Sequence, residues 1–177
     1  MTAGFAMNGP VGILERASVV RVRAALHDAG VEGDVVVLDE STRTAADAAG
    51  ALGVAVGQIA SSLVFALPNG DPLLVITSGR HRVDAVRVAL ALGVAALERA
   101  DAQYVKRCSG FSIGGVSPLG WCPPGAGAAT PAAVIDLALA DYGVVWAAAG
   151  HSHAVFATTF EVLRRVADAT PVRVGDD

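Results

Sequence analysis

The stretch Phe111 to Pro118, F-S-I-G-G-V-S-P, has the composition of a ligand-holding loop. Gly114 and Gly115 lack a Cβ, so the backbone there can adopt φ > 0 and let a ligand lie against its peptide groups. Pro118 fixes its own φ and restricts Ser117 before it. A loop of this kind offers free backbone N–H groups and a rigid exit. Such donors can hold a carbonyl, an ester or an anion. The same pattern also describes an ordinary tight turn, since glycine pairs are common in turns.

Other residues bear chemistry at some distance along the chain. Ser61 and Ser62 are adjacent hydroxyls, but no G-x-S-x-G elbow surrounds them, which argues against a serine-hydrolase triad. Ser78-Gly79-Arg80-His81-Arg82 interrupts an apolar run, and Arg80, His81 and Arg82 are candidates for a phosphate contact or for a solvated loop. His151 and His153 alternate within G-H-S-H and, on one strand, would face the same way. They could line a site or serve the surface. Asp84 reads as a helix cap. Trp121 suits either stacking on a base or the core. Cys108, Cys122, His151 and His153 match no compact metal-site spacing, so no metal or other cofactor is expected.

The elements that must position these groups read as follows. Gly12 to Ala29 is an amphipathic helix with Leu14, Val19, Val22, Leu26 and Ala29 on its apolar face. Gly33 to Leu38 is a short strand. Ser41 to Leu52 is a helix capped by Ser41 or Thr44, and a helical turn covers Ala55 to Ala60. Ser62 to Leu67 and Pro72 to Thr77 are strands joined by the Pro68-Asn69-Gly70-Asp71 turn. Val83 to Leu92 is a helix with Val83, Val86, Leu90 and Ala91 as its apolar face. Ala95 to Arg99 is a short strand, and Asp101 caps a helix ending at Ser109. Gly120 to Pro131 is loop, and Ala133 to Ala140 is strand or short helix. Val144 to Ala149 and His153 to Ala157 are strands. A last helix, capped by Thr158 or Thr159, buries Phe160, Leu163 and Val166. Strands and helices mix without regular βαβ alternation. The expected class is α/β of the mixed α+β kind, a largely antiparallel sheet with helices packed on it.

Composition narrows the function classes. The 177 residues suit one domain, residues 13–177, after a flexible lead at 1–12. The net charge of −4 argues against broad electrostatic binding to nucleic acid, leaving room only for a local basic patch. Lys106 is the only lysine, so arginine supplies nearly all the positive charge. The uncharged run from Ala48 to Gly70 contains Gly57, Gln58, Ser61, Ser62 and a Pro-Asn-Gly turn, so no membrane span is expected. The N-terminus lacks the features of a signal peptide, and two thiols suit the reducing cytoplasm.

Four blocks, taken in order, carry a resemblance: G-Q-I-A-S-S-L-V-F (Gly57 to Phe65), L-V-I-T-S-G-R-H-R-V-D (Leu74 to Asp84), F-S-I-G-G-V-S-P-L-G (Phe111 to Gly120) and W-A-A-A-G-H-S-H-A-V-F (Trp146 to Phe156). Together they resemble the YbaK family, the prolyl-tRNA synthetase-associated editing domains, over Ala17 to Leu163. The resemblance implies a barrel-like mixed sheet surrounded by helices. It implies a trans-acting deacylase that hydrolyses the ester of mischarged aminoacyl-tRNA, with proline tRNA carrying Cys or Ala as the expected load. It places Gly114, Gly115, Val116 and Pro118 in the catalytic loop. Around them it places Ser61, Ser62, Ser78, Gly79, Arg80, Arg82, Ile113, Ser117, His151 and His153 against the substrate. The implied partners are the tRNA acceptor end and prolyl-tRNA synthetase, for a monomer or weak homodimer.

One position departs from the family. Many members carry a lysine where this chain has Ser61, and a serine cannot supply a cation. Two readings follow. In the first the chain keeps deacylase chemistry with different tRNA contacts. In the second it binds an aminoacyl-tRNA or nucleotide end without hydrolysing it. An unrelated metal-dependent hydrolase using the Cys and His residues is a third.

Overall fold

The computed structural model describes residues 10–177. Most of the expected lead, residues 1–9, lies outside them. Residues 11–16 form turns and bends, with Gly12 at φ 85°, so the first helix starts later than the periodicity suggests. In chain order the elements are α1 (Ala17–Asp28), β1 (Val36–Val37), α2 (Ala45–Leu52), a 3-10 turn (Val56–Gln58), β2 (Ile59–Ala66), β3 (Pro72–Ser78), α3 (Ala85–Leu92), β4 (Glu98–Arg99) and α4 (Ala102–Ser109). They continue with β5 (Ala132–Asp136), a second 3-10 turn (Leu137–Asp141), β6 (Val145–His151), β7 (Ala154–Thr158), α5 (Phe160–Val166) and β8 (Thr170–Val172).

The helix starts follow from side-chain caps. Thr44 and Asp47 form a reciprocal capping box at α2, and Asp84, Asp101 and Thr159 each accept a backbone N–H at α3, α4 and α5. Residues 41–44 therefore precede α2 as extended chain. In α3 the buried face is Val88 and Ala89, whereas Val86 and Leu90 are exposed. The apolar face expected there is rotated, because the helix is apolar nearly all round and its periodicity cannot locate the core.

The eight strands form one sheet in the order β1-β7-β6-β2-β3-β5-β8, with β4 pairing β2 off that path. Three pairings are parallel: β2 with β6, β3 with β5 and β5 with β8. The others are antiparallel. The mixed α/β class matches the expectation. The sheet stays open, because its short edge strands, β1 and β8, do not pair with each other.

Strand β3 shows why its run is apolar throughout. Leu74 and Ile76 point into a main core shared with Val19, Val22 and Leu26 of α1, Val105 of α4 and Leu163 of α5. Leu73 and Val75 point the other way, against Val88 of α3 and Val134 of β5. Alternating side chains thus fill both faces. A third cluster packs Ala48, Ala49 and Leu52 of α2 on Ile59 and Val155.

One irregularity matters for function. Strand β2 pairs with β6 only at Ile59 and Ala60, and with β4 only at Phe65 and Ala66. Between those points, Ser61 to Val64 have β3 on one side and no strand on the other. A sheet normally closes such a gap with another strand. Here the gap opens into a cleft.

Candidate functional site

The cleft has a volume of about 350 Å³. Its floor is the stretch of β2 that is paired on one side only, including Ser61 and Ser62. Thr77, Ser78 and Gly79 close one end, Ala45, Ala48 and Leu52 of α2 form one wall, and Ile113, Gly114 and Val116 lie across from them. The glycine loop and the Ser61-Ser62 block, about fifty positions apart in the chain, therefore meet at one cavity.

The loop is held at both ends. Gly110 ends α4 at φ 77°, and its carbonyl accepts from Lys106 Nζ at 3.1 Å and Arg21 Nη2 at 3.3 Å. Phe111 is fully buried. Its N–H donates to Ser109 Oγ at 3.0 Å, and the Arg21 guanidinium lies 5.4 Å from its ring centre. At the exit, Ser117 is fully buried and its carbonyl accepts from Trp121 Nε1 at 2.8 Å. Trp121 is thus a core anchor of the loop and not a stacking platform. Pro118 is buried as well and lies behind the cleft.

Between the anchors, the two glycines have different work. Gly115 N–H donates to Ser112 O at 3.0 Å and closes a tight turn, so it is not available to a ligand. A Cβ on Gly115 would lie 2.8 Å from His151 Cα and 2.9 Å from His151 N. Gly115 is there because the loop packs directly on the backbone of β6. Gly114 has φ 90°, and a Cβ on it would make only an ordinary contact, 3.8 Å from Ser152 Cβ. Among the described residues neither Gly114 N–H nor Val116 N–H has an internal acceptor. Gly115 N–H is therefore not among the free donors: Ile113, Gly114 and Val116 line the cleft, and Gly115 sets their position.

The β2 hydroxyls are equally specific. Ser62 Oγ is buried without a hydrogen-bond partner among the described residues. Buried polar atoms are seldom left unpaired, and one that lines a cavity is set up to meet a ligand or a water. No histidine pairs with either serine, so neither is a poised nucleophile. Ser78 is fully buried, donating Oγ to Gly57 O at 2.7 Å and N–H to Asp136 Oδ2 at 3.1 Å. Gly79 packs against Val56 O, where a Cβ would collide. Ser78 and Gly79 thus shape the cleft by holding its end in place.

The expected basic contacts lie elsewhere. Arg80 donates to Tyr142 Oη at 3.1 Å and to Asp141 Oδ2 at 2.8 Å. These hydrogen bonds, Tyr142 first, raise its pKa further above the ordinary arginine value. Its Nε also sits 2.8 Å from Asp177 Oδ1 as an ion pair without hydrogen-bond alignment. Arg80 braces the second 3-10 turn and does not line the cleft. Arg82 is exposed and also outside it. His81 does reach the cleft, between Asp136 Oδ2 and Asp177 Oδ1, each at 2.8 Å.

His151 ends β6 and His153 lies in the β6–β7 turn, so the two do not share a strand and simple alternation fails for them. Their rings stack at 5.6 Å. His153 Nδ1–H donates to Leu38 O at 2.9 Å, tying the β6–β7 turn to the residue after β1. His151 Nδ1 accepts from His153 N–H at 3.1 Å, which requires a neutral ring with its proton on Nε2. Neither lines the cleft.

Burial, then His153 and then Arg16, lower the His151 pKa. A histidine depressed in the fold disfavours protonation there. Its contribution is full above the unfolded value near 6.5 and is lost as pH falls below it. The midpoint of urea unfolding is expected to drop more between pH 7.5 and pH 5 for wild type than for His151→Gln. Parallel pH profiles would remove His151 as the source.

Cys108 and Cys122 are free, half-buried thiols, and burial pushes the Cys108 thiol up. Among the described residues no three His, Cys, Asp or Glu side chains are grouped to hold a metal ion. No helix among them is long and apolar enough to cross a membrane.

The cleft brings residues of all four sequence blocks together: Ser61 and Ser62, Ser78 and Gly79, Gly114 and Val116, and Trp146. The model of the aminoacyl-tRNA editing domain matches residues 39–166, which include all four. This chain belongs to the aminoacyl-tRNA editing domain family. Within that family it is similar to a solved candidate trans-editing enzyme for prolyl-tRNA synthetase. The two are 36% identical with a TM-score of 0.81, covering 91% of this chain and 98% of the other. The hypothetical protein APE2540 superposes with a TM-score of 0.77 at 24% identity, over 88% of this chain and 99% of its own, which shows the shared fold alone. The uncharacterized protein YwhH of Bacillus subtilis (strain 168) is 27% identical over 128 residues, 72% of this chain and 77% of its own. The editing-domain cleft also includes residues that sequence reasoning passed over: Thr42, Arg43, Arg99 and Trp146. Of these only Trp146 had a local signal, since it opens the W-A-A-A-G-H-S-H-A-V-F block.

Proposed function

We propose that this editing domain hydrolyses the ester bond of mischarged aminoacyl-tRNA in trans, with proline tRNA carrying Cys or Ala as the expected load. The observation that carries the reading is that Gly114 and Val116, whose N–H groups have no internal acceptor among the described residues, line one cleft together with Ser61 and Ser62 of β2. Donors fixed before the reaction stabilise the oxyanion that forms when water attacks an ester carbonyl. The protein contributes position and exclusion of bulk water, with no side-chain nucleophile. Ser62 Oγ, without an internal partner, is placed to orient the substrate or the attacking water. The walls around it, Val64, Ala100, Val105 and Val116, suit a small uncharged side chain. The tRNA acceptor end is the partner this requires, and prolyl-tRNA synthetase is the enzyme whose errors it would clear.

The test is single-turnover deacylation of proline tRNA charged with Cys, Ala, Ser or Pro. Turnover of the Cys or Ala ester at least tenfold above the Pro ester is the expected outcome. Equal turnover of all four, or none, overturns it. Ser61 favours a second reading, in which the cleft binds an aminoacyl end without hydrolysis. Tight binding with no turnover of any ester would select it. Under the first reading Ser61→Ala leaves kcat/KM within about threefold of wild type, because Ser61 is only half-buried and water can replace the hydrogen bonds of its hydroxyl. A loss of a hundredfold would make Ser61 part of the machinery.

A further inference from the structure

The charge of the cleft is opposite to that of the chain. Acidic residues outnumber Lys and Arg by 17 to 13. Yet among the described residues no Asp or Glu lines the cleft, and its charged or titratable side chains are Arg43, Arg99 and His81. His81 is held between two carboxylates. Arg43 and Arg99 are exposed and, among the described residues, neither has a carboxylate partner. By contrast Arg80, Arg87 and Arg164 are each paired with an acid. The two cleft arginines come from different parts of the fold. Arg43 stands just before the Thr44 cap of α2. Arg99 ends β4, which is fixed to β2 through Phe65↔Arg99. Each is therefore carried by an element that frames the strand gap.

We propose that Arg43 and Arg99 form a two-point clamp for the phosphodiester backbone of the RNA strand whose aminoacylated end enters the cleft. This deepens the deacylase reading and rests on it for the identity of the RNA. The guanidinium group suits the task, since its planar fork donates two hydrogen bonds to phosphate oxygens and stays charged at any relevant pH. A concave site lined by one sign of charge also raises the local concentration of the opposite ion. The chain as a whole repels RNA, so local charge at the mouth decides where an RNA end can enter. Discrimination against non-cognate anions then comes from the requirement to satisfy both arginines and the loop at once.

The experiment measures binding of a fluorescein-labelled single-stranded RNA oligonucleotide of acceptor-end sequence by anisotropy, for the full chain and for Arg43→Ala, Arg99→Ala and the double variant. Arg164→Ala, on α5 and outside the cleft lining, controls for net charge. Each cleft variant is expected to weaken binding roughly 5- to 10-fold and to reduce the slope of log K against log salt by about 0.7, the value for one single-strand phosphate contact. Arg→Lys at either position recovers part of the affinity. The proposal fails if the cleft variants bind like wild type, if Arg164→Ala weakens binding equally, or if wild type binds no RNA at low salt. Thermal melts verify that the exposed substitutions leave the fold intact. Arginine-dependent binding without ester hydrolysis by wild type would support the clamp while removing the deacylase reading.

Discussion

Gly115→Ala is expected to lower kcat/KM for ester hydrolysis by about 100-fold or more, the scale of loss when reacting groups are misplaced by about 1 Å. The added methyl would sit 2.8 Å from His151 Cα, 2.9 Å from His151 N and 3.1 Å from Gly150 C. All three are backbone atoms of β6, and none can rotate away. Gly150 is itself pressed against Ser18 O of α1, at 2.6 Å from its hypothetical Cβ, so β6 cannot retreat. The loop must lift instead, and Gly114 N–H and Val116 N–H move with it. Gly114→Ala is a useful contrast. Its Cβ would meet only Ser152 Cβ, at 3.8 Å, but φ is 90°. The cost there is backbone strain of about 1–2 kcal/mol, and the donors can stay in place. A loss of about tenfold is expected for Gly114→Ala. Single-turnover deacylation of both variants, beside thermal melts, checks the pair. Gly115→Ala within twofold of wild type would show that the loop position does not govern the reaction.

The contrast between the glycines also shows where sequence reading succeeds. F-S-I-G-G-V-S-P announces a loop, because glycine and proline act locally. It does not reveal that Gly115 serves a contact with β6, which arrives from 36 residues further along. The same division runs through the fold. The caps at Asp84, Asp101 and Thr159 and the Pro68–Asp71 turn depend on residues within a few positions, and they were legible. Strand β8 was not, because Thr170 to Val172 is three residues long and exists through its parallel pairing with β5. The parallel pairing of β3 with β5 is equally invisible, since nothing within either strand names its partner.

Side-chain roles follow the same rule. Arg80 looked free in S-G-R-H-R, and Tyr142, 62 residues away, determines that it is not. His153 looked like a site residue until Leu38 O appeared as its partner. Arg43 and Arg99 drew no attention, because an arginine beside a threonine or at a strand end is ordinary. Their significance comes from what surrounds them, a cavity without acids. The one local hint that went unused is Asp136. It ends the apolar run A-A-V-I, and a charge at the end of a buried strand must be either solvated or paired.

Asp136→Asn is expected to lower Tm by about 6–12 °C, more than any exposed substitution. The Asp136 side chain is fully buried. Its Oδ2 accepts from Ser78 N–H at 3.1 Å and Thr77 Oγ at 3.4 Å, and it lies 2.8 Å from His81 Nδ1. Its Oδ1 accepts from Ala138 N–H at 3.1 Å. The carboxylate thus joins the end of β3 to the second 3-10 turn, with every partner on the donor side. An amide turns one oxygen into a donor, which must then face either Ala138 N–H or Ser78 N–H. That leaves two buried donors in opposition, a loss of roughly 3 kcal/mol, and each kcal/mol moves Tm by about 2–4 °C in a domain of this size. Asp177→Asn is the control, since Asp177 lies at the same 2.8 Å from the other His81 nitrogen but has a side chain 71% exposed. Water replaces that partner, and a change of about 1 °C or less is expected. Differential scanning calorimetry of the two variants decides the matter. Equal shifts would mean that the histidine contact is what counts, and a large shift for Asp136 alone shows that burial and the Ser78 N–H bond hold the end of the cleft.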